Sequence, residues 1–429
     1  MSKGKMMWIT ALILGLGWAI RGHFGHEWGA SWAGAMAALA VLATSKREDW
    51  LQRAPVLTAL GALGWAVAGM ASYGIVIGYC RGVGFGNVLY GYTMLAIIGG
   101  LYGFMGGGLF GLGLETSDKK RPDWPKLITE MVIGGFLFYG LFIFQLGWNM
   151  TPPRSEMWAG AMGASLALGW YLYREGYGKA LRVAGYSALG AGFGFAFGNF
   201  IQTFGATTGT SYNWWNVMEF TLGFCGGLGL AYAVATQDWP EKAMPSKTSN
   251  WYALFLVIFL IPLINFIEAM KIEYFTKMAP TWGVVDTGNF AATQLWFGII
   301  TIAIFTSTGI FMWKRAQLGA SNLVDRLIPV SLFAYSFYYT FFGFIRNGLF
   351  YKGFELKYSD TLYFPILLIA LIIWIWGQRQ KSSDDAPVSS DESWKTWAIL
   401  LTLIGIVLII ITLISINMHD GLAGYHERF

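Results

Sequence analysis

The chain reads as an all-α polytopic integral membrane protein with about 13 transmembrane helices, its N-terminus cytoplasmic and its C-terminus external. Three observations predict this. Hydrophobic residues make up 55% of the 429 and charged residues only 12%, against about 25% charged in soluble domains. Repeated apolar stretches approach or exceed the roughly 20 residues that a helix needs to cross a bilayer. Lys and Arg collect in alternate connections between these stretches, as orientation signals do.

The predicted helices run over 7–22, 30–45, 55–79, 88–114, 128–148, 157–173, 183–204, 216–236, 250–270, 292–313, 327–347, 361–377 and 395–417, with boundaries good to a few residues. The first begins at about Met7 and lacks a small-residue cleavage site, so it reads as an anchor and not a removed signal peptide. Of the 29 basic residues, 20 fall in alternate connections, such as Lys119, Lys120, Arg121 and Lys126 or Arg174, Lys179 and Arg182. The other side holds 9, namely Arg21, Arg81, Arg154, Lys271, Lys277, Arg346, Lys352, Lys357 and Arg428. One miscounted span would invert every later loop and spoil this split. The Ser/Asp-rich segment 378–394 reads as a cytoplasmic flexible linker and 418–429 as an external tail.

Three landmarks recur in order and predict an internal duplication. Leu16-Gly17-Trp18 is echoed by Leu146-Gly147-Trp148, and Trp32 to Met36 by Trp158 to Met162. Gly103 to Gly107 returns as Gly223 to Gly227, each copy ending at Asp-Trp-Pro (Asp123 to Pro125, Asp238 to Pro240). The predicted units are a first four-helix repeat over 1–127, a second over 128–247, and a five-helix C-terminal module over 248–429. Four helices per copy make the repeat parallel. The glycine runs predict helices packed backbone to backbone.

The stretch from Trp18 to Gly34 gathers Arg21, His23, His26 and Glu27 between two apolar segments punctuated by Gly22, Gly25 and Gly29. Ionisable groups at membrane depth are expensive and mark functional sites, and glycines let a helix break. A short broken hairpin presenting a polar cluster is expected, either as a functional site or as helix caps with an Arg21–Glu27 ion pair. The other ligand and coupling candidates are Arg81, Arg154, Glu156, Asn199, Gln202, Glu219, Glu268 and Arg346, with Ser72, Tyr73, Thr203, Asn213, Trp214 and Trp215 adding neutral hydrogen bonds and rings. Arg346 is a partner candidate for Glu268 or Glu219. Arg81 sits in a Gly-x-Gly-x-Gly segment that reads as a plain external turn, with an anion nest of backbone N–H groups as the alternative. His23 and His26 are weak metal candidates, three apart on one face, with a tail histidine as a further ligand. The cysteines Cys80 and Cys225 suggest small packing residues and not a disulfide framework or a thiolate metal site.

All four histidines fall on the predicted outer side, and the polar groups collect there. The function read from this is a secondary transporter or permease for a small polar solute, sugar-like or anionic, in the cell (inner) membrane. The first alternative is a membrane-embedded enzyme with an external active site acting on a lipid-linked or glycan substrate. The second is a non-catalytic subunit of an envelope complex. The expected partners are the bilayer, the solute, and an oligomer mate or envelope partner. The net charge of +5 needs no nucleic acid, and no motif identifies a cofactor.

Overall fold

The structure is a computed structural model that describes residues 3–45, 47–240, 243–318, 322–349, 362–379 and 394–429. The described residues contain helices and no strands. Among the described residues eight helices are long and apolar enough to cross a membrane, as in a multi-pass helical membrane protein. Lys352, Lys357 and most of the linker 378–394 lie outside the described residues.

The first helices are α1 (Lys3–Arg21), α2 (His26–Thr44), the short α3 (Glu48–Gln52), α4 (Ala54–Gly69), α5 (Gly74–Tyr79) and α6 (Phe85–Glu115). They are followed by α7 (Trp124–Tyr139), α8 (Trp158–Arg174), α9 (Gly178–Thr207) and α10 (Trp214–Ala235). Six of these close a ring through successive pairwise packing: α1 on α2, α2 on α4, α4 on α6, α6 on α9, α9 on α10, and α10 back on α1. The hairpin of α7 and α8 stands outside the ring against α6 and α9.

Glycine makes the close approaches possible. A Cβ on Gly103 of α6 would lie 2.1 Å from the Ser187 carbonyl oxygen of α9, and one on Gly223 of α10 would lie 2.4 Å from that of Leu14 on α1. Backbones this near gain dispersion contacts that substitute for the hydrophobic drive missing between helices in lipid. The ring is filled at its middle. Trp65 of α4 reaches the glycines Gly34, Gly106 and Gly226 on three other helices, and its ring meets Trp18 edge-on at 5.0 Å.

The chain continues through α11 (Lys247–Phe255), α12 (Ile261–Ala269), α13 (Ile272–Met278), α14 (Thr287–Leu318), α15 (Asn322–Arg346), α16 (Tyr363–Arg379) and α17 (Trp394–Asn417). A π turn over Leu256–Leu260 separates α11 from α12. Pro262 has no N–H for the Ile258 carbonyl four residues back. Thr306 donates to that carbonyl instead at 2.9 Å, and Tyr335 donates to the Val257 carbonyl at 2.9 Å. These helices clad the ring, with α15 and α12 on α2, α16 on α1, and α17 on α6 and α9.

Two departures from the sequence reading matter for the site. The helix expected over 55–79 is interrupted between Gly69 and Gly74, giving α4 and α5. Gly69 packs against the start of α2, where a Cβ would lie 3.0 Å from the His26 carbonyl oxygen, and the freed segment turns Tyr73 inward to bury it. The two hairpins matched by the repeat also differ in setting: α1 and α2 belong to the ring, whereas α7 presents apolar side chains such as Phe136 outward.

Polar contacts between connections fall into two sets. At one end Arg47 donates to Pro240, Arg53 to Gly113, Lys120 to Gly176, and Lys126 pairs with Glu175. At the other, the tail meets the α5–α6 turn and the 149–156 loop, and His23 meets Arg346.

Candidate functional site

The site forms where two broken helices and the start of a third converge. The chain leaves α1 at Arg21, makes a one-turn 3-10 helix over Gly22–Phe24, and reverses at Gly25, whose φ of 84° is open to glycine at little cost. His26 then begins α2. Asn213 caps α10 through its side chain, which sets Trp215 and Glu219 one turn apart on the same face.

Arg21 is 1% exposed and Glu219 2%. The Arg21 Nε donates to Glu219 Oε2 at 3.3 Å. Its Nη1 donates to the His26 carbonyl at 3.1 Å and its Nη2 to the Tyr73 hydroxyl at 2.6 Å. Tyr73 in turn donates its O–H to the other carboxylate oxygen of Glu219, and Trp215 Nε1 donates to that same oxygen at 3.0 Å. Three rings surround the guanidinium, with Trp18 at 4.7 Å, Tyr73 at 5.4 Å and Tyr102 at 5.9 Å from its carbon. Tyr102 donates to the Ala71 carbonyl at 2.6 Å and so ties α6 to the α4–α5 break. Gly29 leaves room for the arginine, since a Cβ there would lie 2.7 Å from Arg21 Cγ.

A guanidinium keeps its charge under all conditions that leave a protein folded. In a low-dielectric ring such a group needs an anion beside it. Glu219 is that anion here.

The remaining sequence candidates are dispersed around this centre. His26 is exposed, with its ring 5.6 Å from that of Tyr73. Glu27 is exposed in the first turn of α2 and is not the partner of Arg21, so the Arg21–Glu27 pair gives way to Arg21–Glu219. The exposed Arg154 sits over the start of α5, 3.9 Å from where a Cβ of Gly74 would be. The carboxylate of Glu156 accepts from the N–H groups of Met150 and Thr151 and from Trp158 Nε1 at 2.7–2.9 Å, which folds its own loop. Arg346 lies neither on Glu268 nor on Glu219. It stands 3.2 Å from His23 Nδ1, donates to the Tyr274 hydroxyl and rests 3.9 Å above that ring. Glu268 is exposed and pairs with Lys271 at 3.0 Å. Asn199, fully buried, donates to Gln202 at 2.8 Å, and its own Oδ1 has no hydrogen-bond partner among the described residues.

The α5–α6 turn around Arg81 packs against residues 419–429. Asn87 donates to the carbonyls of Tyr79 and His426 and accepts from the Arg428 N–H, while Arg81 donates to the Ala423 carbonyl at 3.0 Å. Phe429 meets Tyr90 at 5.3 Å. The segment proposed as an anion nest is thus covered by the chain's own end. Among the described residues no three or more His, Cys, Asp or Glu side chains converge as metal ligands, and His23 faces a guanidinium. Trp18 and Tyr102 are site members that the sequence reading passed over. Trp18 stands three residues before Arg21 on the same helical face and was legible from spacing, whereas nothing local marks Tyr102. No protein-family model, no curated protein and no solved structure matches this chain significantly.

Proposed function

We propose that the protein is a secondary transporter for a small polar solute, with Arg21 and Glu219 at its binding site. The observation that carries this is the buried ion pair at the meeting point of two interrupted helices, α1–α2 and α4–α5. Broken helices that turn their ends toward a buried charge are the construction secondary transporters use near the midplane. The reading has 13 spans, a cytoplasmic N-terminus and an external C-terminus in a cell (inner) membrane, with a parallel repeat over 1–127 and 128–247. Support for the two faces comes from the loop contacts, since each pair named above joins connections that the basic residues assign to the same side. On this reading the exposed His26, Trp215 and Arg154 form the outer mouth.

One observation favours an outward-facing membrane enzyme instead. Trp18, Trp65 and Tyr102 fill the ring below the ion pair, leaving the site near one end. Side-specific thiol labelling separates the two. With Cys80 and Cys225 replaced by Ala, single cysteines at Ala71 (in the α4–α5 break) and Ala66 (beside Trp65) are challenged with an impermeant reagent from each face. A transporter predicts that Ala66→Cys reacts from both faces under conditions that shift the equilibrium. Reaction from the outer face alone at both positions would sink the transporter reading and leave the enzyme.

A further inference from the structure

Resting on the transporter reading, we propose that the solute is an anion carrying a carboxylate or similar acceptor group, and that it takes the place of Glu219 on Arg21 while Glu219 takes up one proton. The argument is one of charge conservation. Arg21 sits 1% exposed with its three nitrogens directed to Glu219, the His26 carbonyl and the Tyr73 hydroxyl. Of these partners only Glu219 is negative. A solute cannot part the pair without leaving a buried cation and a buried anion, each costing several kcal/mol. A neutral, sugar-like solute offers no counter-charge to either. An anion arriving with a proton leaves the charge of the site unchanged. The proton goes to a Glu219 oxygen, the Arg21–Glu219 bond opens, and the incoming acceptor takes the Arg21 Nε–H. Release on the other side reverses each step, so one anion and one proton move together and no covalent bond to carbon changes.

The surroundings suit this exchange. The ionisable and charged groups around the pair are Tyr73 in the α4–α5 break and Tyr102 on α6, which face both Arg21 and Glu219, then His26 beside Arg21, Glu27 beside Tyr102, and Arg154 beside His26. The Arg154 guanidinium, over the start of α5, attracts an anion to the approach. Glu219 has a partner for either state: Tyr73 and Trp215 donate to it as a carboxylate, and the Tyr73 hydroxyl oxygen can accept from the protonated acid.

The test uses purified full-length protein and acetate as the probe. Glu219→Gln mimics the protonated acid and leaves Arg21 without an anion. Sodium acetate is expected to raise the Tm of Glu219→Gln by about 3 °C or more. Acetamide should not, and neither wild type at about pH 7.5 nor Arg21→Met/Glu219→Gln should respond. Equal responses of the single and double variants would overturn the proposal. Should Glu219→Gln fail to fold, wild type is compared at about pH 5 and about pH 7.5, and an acetate shift that is absent or the same at both overturns it. An acetate shift with outer-face labelling alone keeps the anion site and removes transport. Two-sided labelling with no acetate shift keeps transport and removes the anion.

Discussion

Arg21 Nε and Glu219 Oε2 lie 3.3 Å apart although 198 positions separate them in the chain. The contact joins the first helix of the ring to the last, α1 to α10, and closes the cycle with a charge pair as well as with packing. Breaking one half should cost more than removing both. Glu219→Ala is expected to destabilise by about 3–5 kcal/mol, because it strands a buried cation. Arg21→Met/Glu219→Leu should cost less than the sum of its singles. A double-variant cycle of thermal unfolding in detergent checks this, and strict additivity would mean that the two charges do not interact.

Tyr73 bridges the pair by accepting from Arg21 and donating to Glu219. Tyr73→Phe keeps the ring beside Phe195 (4.9 Å) and removes both bonds. It is expected to lose about 1–3 kcal/mol. An unchanged Tm in Tyr73→Phe would place the hydroxyl outside the network.

The α6–α9 contact rests on Gly103, where a Cβ would strike the Ser187 carbonyl at 2.1 Å. Gly103→Val should force the backbones apart and cost about 1–3 kcal/mol or more. Gly86, with open space around its Cα, should accept Ala without loss. Thermal unfolding of the two variants side by side reads the contrast.

Removal of residues 419–429 takes away the His426 carbonyl and the Arg428 N–H that engage Asn87, and the carbonyl that Arg81 holds. The ring does not depend on these bonds, so the shortened chain should still insert. Amide exchange across Gly78–Asn87 should accelerate at least ~10-fold. Unchanged exchange would show that the turn is ordered without its cover.

At the other end, Asp118 accepts from Arg121 and from the Met244 N–H, which holds its carboxyl below the usual range. Lys126 and then Arg174 do the same for Glu175. A depressed folded-state pKa gives stability that is present above the unfolded value, about 4, and lost as pH falls through the folded value. The contribution of these two carboxylates to the Tm should therefore be constant above about pH 5 and decline below about pH 4. Asp118→Asn/Glu175→Gln should flatten that decline, and an unaltered acid limb would exclude these carboxylates as its source.

Much of this architecture was legible because membrane helices declare themselves locally. Length and apolarity announce α6 and α17, and the glycine runs of α6 and α10 announce close packing. The break after Arg21 was legible from Gly22 and Gly25. The break after Gly69 was not, because its cause is tertiary: Tyr73 is drawn to a pair made by residues far away in the chain. Arg21 and Glu219 were each visible as buried charges, but their pairing was hidden, since Glu27 lay nearer in sequence. Glu156 and Glu268 drew attention by type alone, and their neighbours give them local roles.

The most direct measurement is the distance between spin labels at the exposed positions Glu27 and Thr210, on either side of the site. If Arg21–Glu219 locks this end of the ring, wild type at about pH 7.5 should give one narrow distribution. Glu219→Gln in acetate should then add a second, longer population of at least ~10%. Superimposable distributions in the two proteins would contradict the lock and leave the ion pair a purely structural brace.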